Sequence, residues 1–200
     1  MIEIIRVTPL YEFLRQCNAS PLAKDVLDCG AGGSLPPLSL FHHYGYRTCG
    51  IEIAKAAIAE ARRLCAENHM ALNIIRGDMR SIPFPGESFS FVYSYNAIDF
   101  MTKPDIAVSM REITGVLRPG GLCYVNFPSV DDAETWEPFS ETAAAKDLLK
   151  SKGFTHFEDA EADVYFDAFE TVRKEKRLAE TLWGGRRLKQ ADIGYIARKR

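Results

Sequence analysis

No window of the 200-residue sequence approaches the ~18 consecutive apolar residues that a membrane span needs. The first residues, MIEIIRVTPLYEF, have neither a long apolar run nor a small-residue cleavage site, and they carry Glu3 and Arg6. They do not read as a signal peptide. There is no C-x-x-C pair: Cys17, Cys29, Cys49, Cys65 and Cys123 are odd in number, widely spaced and set among apolar neighbours. That argues against a metal site or a redox motif. The five read as small buried hydrophobes in a reduced cytoplasm, so the expected setting is cytoplasmic, with no metal and no membrane. No repeat, low-complexity tract or linker interrupts the chain. With 46% apolar and 26% charged residues it can bury an ordinary core. Its length fits one domain over residues 1–200, within the usual ~100–200 residues.

Charge of one sign is lacking overall but not locally. The net charge is −2, yet residues 131–170 hold 12 acids against 3 bases, and residues 171–200 hold 10 bases against 3 acids. A basic tail invites a nucleic-acid reading. The alternative is that the two segments lie together and neutralise, because the basic stretch alternates with apolar residues as a strand does.

What is present is an alternation of strands and helices. Leu10, Phe13, Leu14 and Cys17 have helical spacing over Leu10–Asn18. DVLDCG is a first strand. A helix capped by Ser34 is expected next, with Pro36 and Pro37 tolerated in its first turn and Gly45 closing it. YRTCGIEI is a second strand, AKAAIAEARRLCAEN a long helix, LNIIRGD a third strand and FSFVYSY a fourth. DIAVSMREITGVL is a helix, RPGG a turn and LCYVNF a fifth strand. Such an order implies an α/β, doubly wound, mostly parallel sheet. Further on, ETAAAKDLLKSK and EDAEADVYF look helical. FETVRKEKRLAETLW and RRLKQADIGYIARK look like strands joined at Gly184-Gly185, a C-terminal antiparallel hairpin closing the sheet.

Three glycines, Gly30, Gly32 and Gly33, follow the first strand. In a doubly wound sheet the ligand sits at that turn, outside the carboxyl ends of the strands. A helix starting near Ser34 would aim its positive end at the same place and favour an anion. A dinucleotide fingerprint reads G-x-G-x-x-G, and here Leu35 stands where the third glycine belongs. That weakens a nicotinamide reading without removing it. No Gly-Lys-Ser/Thr follows, so a phosphate-binding Walker loop is excluded.

Three acids fall at three successive strand ends. Asp28 precedes the glycines. Glu52, about 20 residues past that loop, is placed to accept from both hydroxyls of a ribose. Asp78 ends the third strand, where a carboxylate can accept from an adenine amino group. Together they describe a ligand with a ribose, an adenine and an anionic end.

These residues resemble the class I S-adenosylmethionine-dependent methyltransferases. VLDCGAGGS resembles their first motif, with Ser34 for its last glycine. GIEIAKAAIAEAR resembles the ribose-binding segment, and GDMRSIPFPGESFSFVYS the adenine-contacting acid, its following loop and the fourth strand of the small-molecule branch. EITGVLRPGGLCYVNF resembles the fifth strand and its approach. The likeness covers about residues 24–128. It implies S-adenosylmethionine as methyl donor, with Asp28, Gly30, Ala31 and Gly32 around the methionine portion. It further implies Glu52 and Ile53 at the ribose, Asp78 and Met79 at the adenine, and Tyr95 near the methionine end. Ser90 stands where the family usually has aspartate, and Ile98, Asp99 and Phe100 replace a histidine-containing stretch.

The segment SYNAI lacks the Asn/Asp-Pro-Pro-Tyr of enzymes that methylate nucleobase or amide nitrogens, and there is no Pro-Cys nucleophile. A small-molecule acceptor is expected, with nucleic acid disfavoured. Asp99 is the candidate catalytic side chain, against the alternative of a helix cap or loop acid. His42 and His43, near a helix C-terminus, read as structural. Trp136, Phe139, Tyr165 and Phe166 are candidates to roof a pocket or to fill the core. Two other functions stay open: a nicotinamide oxidoreductase, and a non-catalytic module that binds an adenosyl ligand.

Overall fold

The computed structural model describes residues 8–99, 101–132, 155–183 and 186–200. The expected helix in ETAAAKDLLKSK, the Gly184-Gly185 turn, Phe100, Trp136 and Phe139 lie outside the described residues.

The elements follow in the order α1 (Pro9–Ala19), β1 (Asp25–Cys29), α2 (Leu38–His43), β2 (Arg47–Glu52), α3 (Lys55–Glu67) and β3 (Ile74–Arg76). Then come β4 (Phe89–Ser94), α4 (Lys103–Val116), β5 (Leu117–Pro128), β6 (Phe169–Trp183) and β7 (Arg186–Lys199). They build one seven-stranded sheet in the order β3-β2-β1-β4-β5-β7-β6. Strands β1 to β5 are parallel, and β7 pairs antiparallel with both β5 and β6. The order reverses between β1 and β4, which puts the ligand crevice outside their carboxyl ends.

Both faces of the sheet are covered, so its central strands are apolar on both sides. Val26, Phe91, Tyr93 and Tyr124 face Phe13 and Leu14 of α1, Phe41 of α2 and Ile58 of α3. Leu27, Val92, Cys123 and Phe127 face Ile106, Met110 and Ile113 of α4. Phe166 stacks on Tyr195 at 4.3 Å, and Tyr165 on Phe127 at 5.9 Å. Phe166 is core and Tyr165 is half-buried against it, and neither lines a cavity among the described residues. The EDAEADVYF segment is a 3-10 helix over Glu161–Phe166. Cys17, Cys29 and Cys123 are buried, while Cys49 and Cys65 are partly exposed.

Two expectations are corrected. Ser34 caps nothing: α2 begins at Leu38, after Pro37, and no side chain caps it. The reason is steric, since a residue before proline is pushed out of the helical region. Leu35 and Pro36 each precede one, so helix cannot form until Pro37 is passed. The RPGG stretch belongs to β5 as an irregularity, not to a separate turn. There the register on β4 jumps from Phe89↔Leu117 to Phe91↔Leu122. Gly120 takes φ +76, and a Cβ on Gly121 would lie 2.8 Å from the Ser90 carbonyl.

Candidate active site

The glycine turn is tight against its own protein. Gly30 has φ +99, and a Cβ there would stand 2.7 Å from the Ala97 Cβ. A Cβ on Gly32 would stand 2.5 Å from Ala57 of α3 and 2.8 Å from Glu52. The N–H groups of Gly30 and Ala31 both donate to the Ile51 carbonyl, at 2.9 and 3.0 Å, and Gly33 N–H donates to Ala57 at 2.9 Å. At Gly30 and Gly32 the side chains are missing because β2, α3 and the segment after β4 close in, whereas Gly33 meets no neighbour and is set by its φ of +91. The expected helix dipole at Ser34 contributes nothing, because α2 starts later and has only six residues.

A cavity of about 470 Å³ opens beside the loop. Of the expected residues, Gly30, Glu52, Ile53, Asp78 and Met79 line it. Asp28, Ala31, Gly32 and Tyr95 do not line it. Glu52 is fixed by two backbone donors, Gly32 N–H at 3.2 Å to one oxygen and Ala54 N–H at 2.8 Å to the other. One carboxylate therefore ties the glycine loop to the start of α3 and keeps lone pairs for a ligand. Met79 is 5% exposed and packs into the core beside the same space, whereas Ile53 is 56% exposed at the rim.

Asp78 is held by a partner that sequence reading missed. Arg80 donates to it through Nη2 at 2.6 Å and Nε at 3.0 Å, and its backbone N–H adds a bond of 2.9 Å. Arg80 also reaches Asp105 of α4 at 3.3 Å. Asp105 is held in turn by Thr102, the cap of α4, whose hydroxyl accepts from the Asp105 N–H. The Thr102 hydroxyl also donates to the Asp105 carboxylate at 3.0 Å, and that bond, aided by Arg80, lowers the Asp105 carboxyl below its usual range. The signal was present in GDMR and in TKPD, a capping-box spacing.

Asp28 lies under this floor, 2% exposed on β1. Burial, and then the Glu52 charge, push its carboxyl up to about 8. Its Oδ2 is buried without a hydrogen-bond partner. A cationic amine would supply that partner and favour ionisation.

Asp99 falls elsewhere, 2% exposed. It lines a smaller cavity of about 40 Å³ with Tyr95, Asn126 and Asp192. Asn96 borders both cavities. At φ +50 it is clasped by Asn126 of β5, whose Oδ1 accepts from Asn96 N–H at 2.8 Å and whose Nδ2 donates to Asn96 Oδ1 at 2.7 Å. Among the described residues no group of three or more His, Cys, Asp or Glu is arranged to hold a metal ion. No helix among them is long and apolar enough to cross a membrane.

Residues 27–125 match the family model described as a methyltransferase domain. The chain belongs to the class I S-adenosylmethionine-dependent methyltransferases. It is 33% identical over 132 residues to the 2-methyl-6-phytyl-1,4-hydroquinone methyltransferase of Synechocystis sp., covering 64% of this chain. It is 32% identical over 114 residues to the phthiotriol/phenolphthiotriol dimycocerosates methyltransferase 1 of Mycobacterium ulcerans, covering 56% of this chain. The matched stretch spans 40% of each relative's length. Among solved structures, a methyltransferase from Methanosarcina mazei superposes with TM-score 0.67 at 20% identity, covering 92% of this chain and 96% of that one. TehB from Haemophilus influenzae superposes with TM-score 0.73 at 17% identity, covering 95% of this chain and 62% of that one. Family membership sets the nicotinamide alternative aside.

Proposed function

We propose that this methyltransferase carries a methyl group from S-adenosylmethionine to a small-molecule acceptor, as one domain over residues 1–200. The observation that carries the reading is the cavity of about 470 Å³ with Glu52 and Asp78 on its walls. It lies at the strand edge where the family motifs converge. The residues fit the donor: the unpartnered Asp28 Oδ2 suits the ammonium of a methionine moiety, Glu52 suits ribose hydroxyls, and Asp78 with Met79 suits an adenine. When bound, S-adenosylmethionine supplies a methyl group already activated on a sulfonium.

What remains for the protein is alignment. Holding donor and acceptor in line can supply much of the rate by proximity. Gly30 and Ala97 shape the floor, Asn96 stands between the two cavities, and Tyr95 and Asp99 border the acceptor side. A general base is required only where the acceptor must lose a proton it cannot shed unaided, and Asp99 is our candidate for that role. The named relatives methylate phthiotriols and a hydroquinone, which supports a small-molecule acceptor here. The basic tail supports the same reading, because its lysines are engaged. Lys174 pairs with Asp163 at 2.6 Å, and Lys176 with Asp131 at 2.6 Å and Asp159 at 2.5 Å. We place the protein in the cytoplasm.

The test is turnover. Incubation of the protein and S-adenosylmethionine with fractionated metabolites should yield S-adenosylhomocysteine in stoichiometric step with one methylated product. Tight binding of S-adenosylhomocysteine with no turnover on any fraction would instead favour a non-catalytic adenosyl-binding module.

A further inference from the structure

Ion pairs between exposed side chains contribute little to stability, yet Arg80 is held from two sides. Its guanidinium spans Asp78 at 2.6 Å and Asp105 at 3.3 Å, although the three side chains are 40%, 30% and 36% exposed. All three line the larger cavity. The grip on Asp78 is bidentate, with Nε donating to one carboxylate oxygen and Nη2 to the other. Such a fork fixes the plane of a carboxylate, whose terminal torsion is otherwise broad and two-fold. Fixing it before a ligand arrives removes an ordering cost from binding.

The Asp105 end is a second, independent observation. Asp105 is joined to Thr102, the cap of α4, by bonds in both directions: its N–H donates to the hydroxyl at 3.3 Å, and the hydroxyl donates to its carboxylate at 3.0 Å. The segment that runs from β4 into that cap brings Asn96, Ala97 and Met101 to the same cavity wall. Asn126 clasps its near end at Asn96, and Arg80 holds its far end through Asp105. One guanidinium therefore joins the carboxylate at the adenine position to the start of α4.

We propose that Arg80 is a specificity-determining residue, one that makes the cavity select a 6-amino purine over a 6-oxo purine. The assignment rests on the donor reading above. A carboxylate held in one plane accepts an exocyclic N–H and repels an oxo group in the same place. Arg80 acts through Asp78, and Asp105 steadies Arg80 from α4. It is a positioning residue.

Calorimetry with S-adenosylhomocysteine and S-inosylhomocysteine, which differ only at that edge of the base, tests it. The parent should prefer the adenosyl ligand by about 10-fold or more. Arg80→Met should weaken the adenosyl ligand by about 10-fold and leave the inosyl ligand within about 2-fold, whereas a merely structural role would weaken both alike. Arg80→Lys keeps the charge without the fork and should lose the preference as well. Asp105→Asn should weaken the adenosyl ligand by about 3-fold in the parent and not at all in Arg80→Met, since coupled residues are non-additive. With Arg80 exposed, these variants should melt where the parent does. Equal losses for the two ligands, a preference retained in Arg80→Met or Arg80→Lys, or additive losses in the double variant would overturn the proposal alone. Binding of neither nucleoside by the parent would remove the donor reading and the selectivity with it.

Discussion

Burial and the Glu52 charge push the Asp28 carboxyl up to about 8, so this one side chain carries a pH dependence of its own. The folded state keeps the proton to about pH 8, while the unfolded chain releases it near 3.8. Between those values the folded protein binds more protons, so this contribution to stability falls as pH rises and is lost above pH 8. The slope reaches about 1.4 kcal/mol per pH unit at most. Urea midpoints at pH 5 and pH 8 should therefore fall more steeply in the parent than in Asp28→Asn, and parallel slopes would refute the burial argument. Glu52 is a second residue-scale test. Hydrogen bonds to a charged group are worth about 1.5–3 kcal/mol, so Glu52→Ala should weaken S-adenosylhomocysteine binding by roughly 10- to 100-fold in calorimetry. An unchanged affinity would misplace the ribose. Asp99→Asn should preserve cofactor affinity and lower turnover by roughly 10²-fold if it is the base. Unchanged turnover would leave alignment as the whole mechanism. Glycine roles were only half legible at this scale. The glycine cluster announced a close approach, which holds at Gly30 and Gly32, but Ala97, Ala57 and Glu52 come from distant segments, and no local pattern names them.

Strand β4 is anchored by a network that the Ser90 departure made possible to ask about but not to answer. Ser90 N–H donates to Asp25 Oδ1 at 2.6 Å, and Arg118 donates to both Asp25 oxygens at 2.7 and 2.9 Å and to the Ser90 hydroxyl at 2.9 Å. Asp25 is 5% exposed, so the carboxylate that others in the family carry on strand four is matched here from β1. Removing the guanidinium would leave Asp25 with the Ser90 N–H and with Arg47, whose Nη2 stands 3.4 Å from Oδ2, and the loss is discounted further because the Arg118 side chain is 34% exposed. Arg118→Ala should cost about 1.5–3 kcal/mol in urea unfolding. A loss within the ~0.5 kcal/mol of ordinary surface substitutions would contradict the anchoring role. The elements themselves were largely readable. Alternating apolar runs gave β1, β2, β4, α3 and α4 close to their observed bounds, and β6 and β7 as an antiparallel pair. The start of α2 was missed because two successive prolines act on the residues before them, a constraint that outweighs the cap chemistry of Ser34.

At the scale of the molecule, the described residues meet part of the uneven charge by contacts of the C-terminal hairpin with the acids before it and within it. Lys174, Lys176 and Arg198 meet Asp163, Asp159, Asp131 and Glu170. Binding to duplex DNA or single-stranded RNA should accordingly be weak in a filter assay; micromolar affinity that falls steeply with salt would reverse the small-molecule reading. The sheet order and the crevice at its carboxyl edge followed from the strand–helix alternation, because parallel strands need crossovers and ligands collect where the order reverses. The second cavity did not follow, since Asp99, Asn126 and Asp192 are far apart in sequence and meet only once β7 lies against β5. The central claim is that the larger cavity holds the adenosyl donor, and a ligand that binds only the folded state raises its melting temperature by mass action. Thermal unfolding with millimolar S-adenosylhomocysteine, set beside NADH at the same concentration, is the most direct measurement. The account predicts a rise with S-adenosylhomocysteine alone; no rise with it, and a rise with NADH, would contradict it.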